Sequence, residues 1–183
     1  MTDQLQRVCV KLYAAEPDIP HDTFVPIFHE WIRDRALGGV LLDVADYTHV
    51  PDSPGVMLIT LEAAFSLDRS DGRFGLLVQR RRPVDGDTSD AIADTLRQAL
   101  AVADRLEADA RVGGRLRFDR TSVRIEANDR LSAPNSESGF NALLPLAEAG
   151  VGEVFPAASV HVARIVTDPR DRLAVEAVVS ESA

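Results

Sequence analysis

A pattern of strand, helix, strand, strand occurs twice in this chain at a nearly constant interval. In the first copy Val8, Val10 and Leu12 alternate with Cys9, Lys11 and Tyr13. A helix over 21–36 follows, then strands over 41–49 and 56–65. In the second copy Val123 and Ile125 open a strand over 123–127, a helix runs over 135–149, and strands cover 159–166 and 172–179. The register holds between copies: Val8 and Val123, Val10 and Ile125, and Pro54 and Pro169 each stand 115 positions apart, while Pro20 and Pro134 stand 114 apart. Between the copies lie an extra strand (Phe74, Leu76, Val78) and a long helix. A period of two marks strands with one buried face, and a period of 3.6 marks helices with one buried stripe. The expected fold is therefore α+β: a mostly antiparallel sheet with helices packed on one face. Two β-α-β-β repeats, about 5–66 and 116–179, are joined through residues 72–112 into a single domain 1–183.

The helices are legible in detail. Phe24, Ile27, Phe28, Trp31 and Ile32 form one apolar stripe, and Ile92, Leu96, Ala99, Ala103 and Leu106 form a second. Phe140, Leu143, Leu144 and Ala147 form a third, which Pro145 should kink or break because it removes an N–H and crowds the preceding turn. Along the strands, Met57, Ile59, Leu61, Ala63 and Phe65 read as one continuous inward face. The other side of the sheet then carries Lys11, Tyr13, Leu58, Thr60, Glu62, Arg124, Glu126, Glu176 and Val178, a mixed and solvated surface.

Composition narrows the function classes. With 29 acidic against 20 basic residues, the net charge of −9 opposes a phosphate backbone, so no nucleic acid is expected as a partner. The apolar runs are strand-sized, far short of the ~20 residues of a membrane span, so no membrane association is expected. Cys9 is the one cysteine and can form no internal disulfide. With no signal-like N-terminus, that points to the cytoplasm.

The densest run of reactive side chains is Asp43 to Gly55. His49 lies between Asp46 and Asp52, the equipment of a general base, and these three are the candidate catalytic residues. The bland reading of Pro51-Asp52-Ser53-Pro54-Gly55 is a tight connection between antiparallel strands, with His49 wetted at a strand end. The counterpart in the second copy, Thr167-Asp168-Pro169-Arg170-Asp171, has the same turn chemistry and no histidine. Candidate ligand-binding residues are Tyr47, Glu62, Arg80 and Arg82. The guanidinium cluster Arg80-Arg81-Arg82 suits a small anionic ligand, although alternation points its members to different sides. The alternative is a solvated strand end that blunts edge pairing.

His29-Glu30 begins a zinc-helix motif that Arg33 leaves incomplete, so no metal site is expected there. Read as β-α-β-β-β, the first half resembles the module of the vicinal oxygen chelate metalloenzymes, which pair two such modules around a metal held by His and Glu. The resemblance is topological and best over the first half, since the second begins with an extra strand and lacks a clear final one. No His and Glu fall at matching strand positions, so no metal ligands carry over and no cofactor is expected.

The first functional reading is thus a non-catalytic binding protein that self-associates as a homodimer through a sheet face or edge. The alternative is a small enzyme or ligand-binding protein with its site at the Asp46/His49/Asp52 loop. Because the long second helix should pack on both halves, fragments 1–85 and 86–183 are each expected to be largely unfolded alone. Well-dispersed amide spectra from both would show that the halves fold independently.

Overall fold

The computed structural model describes residues 5–15, 19–50 and 53–181. Among these residues eight strands form one antiparallel sheet: β1 (Val8–Ala14), β2 (Leu41–Asp46), β3 (Val56–Thr60), β4 (Ala63–Asp68), β5 (Gly75–Arg80), β6 (Phe118–Ala127), β7 (Ala158–Ile165) and β8 (Ala174–Glu181). Their order is β2-β3-β4-β5-β1-β6-β8-β7. Three helices, α1 (Phe24–Asp34), α2 (Thr88–Ala108) and α3 (Glu137–Val154), cover one face, and a single 3-10 turn, His21–Thr23, leads into α1.

The helix side follows the apolar periodicity. Ile27, Phe28, Ile92, Leu96, Ala99, Ala103, Leu106, Leu143 and Ala147 are fully buried. Asp87 caps α2 by accepting from the N–H groups of Ser89 and Asp90, while Asp90 accepts from the Asp87 N–H, a reciprocal box that fixes the helix start. Proline does not end α3. Pro145 lies on the exposed side, so the carbonyl it leaves without an N–H partner can turn to water.

β1 and β6 lie side by side at the centre of the sheet. Val10 stands opposite Ile125, its counterpart at the 115-residue interval, and Val8 and Leu12 stand opposite Ala127 and Val123. The two sides then diverge. In the second copy β8 lies directly beside β6, whereas the β4–β5 hairpin separates β1 from β3.

Two strand assignments need correction. The run 56–65 is two antiparallel strands, broken at Leu61-Glu62, where Thr60 Oγ1 both donates to the Ala63 carbonyl and accepts from its N–H. Four strands therefore follow α1 before α2, one more than follow the helix of the chelate module. The phase of β3 is also the reverse of that expected: Val56, Leu58 and Thr60 face the core, while Met57 and Ile59 are half-exposed. Every residue of 56–59 is apolar, so alternation could not distinguish the two faces.

The open face is not uniformly solvated either. Lys11 is 2% exposed, and its ammonium donates to Asp68 Oδ2 at 2.7 Å, Asp71 Oδ1 at 2.5 Å and the Arg73 carbonyl at 2.8 Å. Tyr13 donates to Asp71 Oδ2 at 3.0 Å and carries the Arg73 guanidinium 3.5 Å above its ring centre. Arg124 bridges Asp71 and Glu126. The turn between β4 and β5 folds back over β1 and supplies Asp71 and the Arg73 carbonyl beside Asp68 at the end of β4, a grouping that alternation along single strands does not reveal.

Burial works against the charged form of Asp71, but Lys11, the Arg73 N–H and Tyr13 outweigh it and hold its carboxyl below the usual range. The folded state therefore takes up this proton less readily than the unfolded chain. The contribution is fully present above the ordinary carboxylate pKa of about 4 and is lost as pH falls through the lower folded value. Lys11→Met, which removes the cation paired with buried Asp68, is expected to cost about 3–5 kcal/mol. Denaturant unfolding at neutral pH measures that loss, and a series carried below pH 4 reads the carboxylate contribution.

Candidate functional site

Among the described residues, no hydrogen bond joins His49 to Asp46. Asp46 turns back on its own loop and accepts from both the N–H and the hydroxyl of Thr48, at 2.9 and 2.6 Å. Those bonds, with weaker help from the charges of His49 and His21, hold its carboxyl low. Ser53 donates to the Tyr47 carbonyl at 2.6 Å, and the Tyr47 N–H donates to the Gly55 carbonyl at 3.0 Å. His49 and Tyr47 are exposed. Asp52 lies outside the described residues. The described part of the segment is thus held by its own turn bonds, and among the described residues the shallow hollow beside it is lined by His21, Thr48, Val50, Ser53, Gly55 and Arg69 rather than by Asp46 or His49.

The three arginines separate as alternation requires, but not at a solvated edge, since β5 lies between β4 and β1. Arg80 is buried under α2. Its Nε donates to Thr95 Oγ1 at 3.0 Å, Nη1 donates to the Arg82 carbonyl at 3.2 Å, and the group pairs with Asp94. Burial lowers its pKa, opposed by the nearby charge of Glu62. Arg81 donates to the Thr60 carbonyl at 2.7 Å, and Arg82 is exposed. Cys9 is no nucleophile here, because burial, aided by Glu126, pushes its thiol up to about 12.

Glu62 is the one predicted residue that lines an apolar cavity. This hollow, of about 360 Å³, lies between α1 and α2 and is lined by Leu37, Gly38, Gly39, Thr60, Glu62, Phe65, Gln98, Ala101 and Val102. Its position follows from helix placement. α1 packs over β2 and β3, and α2 over β1 and β5, so the helix side of β4 lies between them.

Local sequence shapes its walls. Arg35 ends α1 in the left-handed conformation (φ 51°), and Gly39 reverses the chain again at φ 82°. A Cβ at Gly39 would stand 2.7 Å from Glu62 Oε2, so glycine is needed there both for its backbone and for the carboxylate beside it. The Glu62 carbonyl anchors the turn by accepting from the N–H groups of Arg81 and Arg82.

The polar groups facing the hollow have uneven spare capacity. The Thr60 hydroxyl is committed to Ala63. Gln98 donates to Asp94 Oδ2 at 2.7 Å, and its side-chain carbonyl has no hydrogen-bond donor among the described residues. The Glu62 carboxylate has no hydrogen-bond donor among the described residues. Two acceptors therefore stand beside an apolar floor.

No protein-family model matches this chain, and no curated protein matches it in sequence. Among the described residues no three His, Cys, Asp or Glu side chains gather closely enough to hold a metal ion, and no helix is long and apolar enough to cross a membrane.

Sequence reasoning identified Glu62 but not Thr60, Phe65, Gln98, Ala101 or Val102. Those residues carry no motif and meet only because two helices sit apart. The difference between the loop and the core is measurable in stability. His49→Ala is expected to change stability by no more than ~0.5 kcal/mol. Trp31→Ala removes a buried indole 5.4 Å from the ring of Phe28 and is expected to cost about 3–5 kcal/mol. Denaturant midpoints of the two variants, taken at equal slope, test the contrast.

Proposed function

We propose that this chain is a non-catalytic binding protein whose site is the hollow between α1 and α2, and that its ligand is a small amphipathic molecule with a protonated amine. The observation that carries this reading is the Glu62 carboxylate, without a donor partner, at the margin of an apolar cavity. A volume of 360 Å³ is at the low end of small-molecule pockets, which are mostly apolar with a few placed polar groups. Phe65, Leu37 and Val102 offer the apolar body an apolar surface, and burying it there is favourable in proportion to the area removed from water.

The head group is chosen by charge. Glu62 and the Gln98 carbonyl both accept hydrogen bonds, so a cationic donor satisfies them and a carboxylate meets repulsion. The anionic ligand expected from the arginine cluster is not favoured here, because Arg80 is already paired with Asp94 and Arg82 points to solvent. The groups facing the cavity include no nucleophile paired with a base, which is why binding is favoured over catalysis. A cytoplasmic setting is part of the proposal, and the buried, unpaired Cys9 fits a reducing compartment.

Calorimetric titration with octylamine, octanol and octanoate separates the head group from the chain. Octylamine should bind tightest and octanoate weakest. Glu62→Gln should remove roughly tenfold of the amine's advantage over the alcohol, the scale of one charge-assisted bond. Ala101→Trp, at an exposed position on the cavity wall, should abolish binding of all three. Octanoate binding as tightly as octylamine, or Ala101→Trp leaving affinity unchanged, would overturn the proposal.

A further inference from the structure

The two edges of the sheet differ. β2, at one end, has a register shift between Leu41 and Asp43 and exposes the carboxylates of Asp43 and Asp46. A bulge and like charges are the usual protections of an edge strand, and two copies of β2 brought together would set acid beside acid. β7, at the other end, has none of these. It pairs with β8 over eight consecutive residues, from Ala158 opposite Glu181 to Ile165 opposite Ala174, without a bulge. Its sequence, Ala-Ser-Val-His-Val-Ala-Arg-Ile, contains no proline and no acid, although the whole chain carries a net charge of −9. Its one formal charge, Arg164, is turned inward and donates to Asn135 Oδ1 at 2.8 Å. Two exposed valines flank the strand: Val166, 80% exposed, just beyond its end, and Val178, 44% exposed, beside His161 on β8.

We infer that β7 is a self-association edge, and that its occupant is β7 of a second copy of this chain, paired antiparallel about a twofold axis at Val162. Three observations select a second copy. First, the strand is regular and, among the described residues, only β8 pairs with it, which leaves a row of backbone donors and acceptors on its outer edge for another strand. Second, a chain this acidic repels itself over most of its surface, and β7 is a stretch where two copies meet without opposing carboxylates. Third, the register supplies cover for exposed apolar groups. Residues directly opposite share a face of the sheet, so an axis at Val162 sets Val160 opposite Arg164 of the other copy, His161 opposite Ala163, and Val166 opposite Ala158. An axis at His161 would instead set the two imidazoles against each other and leave Val166 uncovered. The isologous contact closes at two copies and continues the sheet from eight strands to sixteen.

The inference is independent of the α1–α2 cavity, and sedimentation of the full chain over a range of concentrations tests it. The wild type should approach about twice the chain mass of 19.9 kDa. His161 and Ala163 are both exposed, so charge can be placed there without disturbing the core. The double variant His161→Glu with Ala163→Glu creates two repelling pairs across the axis and should weaken association roughly tenfold or more. The double variant His161→Glu with Ala163→Lys creates two attracting pairs in the same register and should restore the dimer. Thermal midpoints of the variants confirm that each remains folded at the temperature of measurement. A wild type that stays monomeric, or one that grows past a dimer, overturns the inference. So does a dimer indifferent to the Glu/Glu variant, or a Glu/Lys variant that fails to restore it.

Discussion

A lysine ammonium taken out of water at the centre of the sheet constrains more of this structure than any apolar contact does. Burying a charge is costly unless its hydrogen-bonding capacity is filled, and Lys11 has three donors and three acceptors: Asp68, Asp71 and the Arg73 carbonyl. Meeting that demand fixes the path of the β4–β5 turn. It also fixes the residue that starts β5. A Cβ at Gly75 would stand 2.5 Å from the Leu12 carbonyl and 2.9 Å from Lys11 Cε, so only glycine lets the strand lie beside β1 under the lysine stem. Asp71 then receives Tyr13 and lies 3.4 Å from Arg124, which carries the network across β1 to β6. Charges from β4, β1 and β6 are thereby coupled across the central strand pair. An open face filled in this way has no apolar layer to bury under further helices, so the helices stay on one side.

On the helix side, close approach and separation both trace to single glycines. α3 reaches α2 because Gly150 has no side chain: a Cβ there would stand 2.6 Å from the Ser89 carbonyl and 3.0 Å from Ile92 Cβ. α1 has no matching glycine against α2. Instead its C-terminus turns away through Arg35 and Gly39, and Gly39 receives the Glu62 carboxylate. The three helices therefore divide into a tight pair and one set apart, and the space between is the cavity. What distinguishes this hollow is its lining, the Glu62 carboxylate beside the apolar side chains of Leu37, Phe65 and Val102.

What the sequence made legible depended on whether a signal was local. The helix stripes were, because Phe24 to Trp31 and Ile92 to Leu106 follow a 3.6 period that only one buried face explains. The antiparallel sheet with one covered face was, through the alternation of Val8, Val10 and Leu12 and of Val123 and Ile125. The break at Leu61-Glu62 was not, since no proline or glycine marks it and the turn is secured by a threonine side chain. Lys11 read as solvated because its acceptors lie 57 to 62 positions away in the chain. Arg80 read as an edge residue because strand order is a tertiary fact, and β5 proves to be an interior strand. Of the cavity only Glu62 was legible as a candidate, as a charged residue on the mixed face of the sheet.

The placement of the cavity and of β7 bears on whether the two proposed contacts communicate. The cavity touches β3 and β4 near one end of the strand order, and β7 is the last strand at the other. A ligand and a second copy influence each other only if one binds differently to the two states of the other. Neither contact includes a residue of the other, and the intervening strands β5, β1, β6 and β8 pair in continuous register except for one irregularity between Leu12 and Ala14. The Lys11 network sits on that same stretch and stiffens it with ion pairs from three strands. Continuous pairing braced by these ion pairs favours a single arrangement of the sheet. Amine affinity should then be the same in monomer and dimer, with self-association serving to present two independent cavities on one particle.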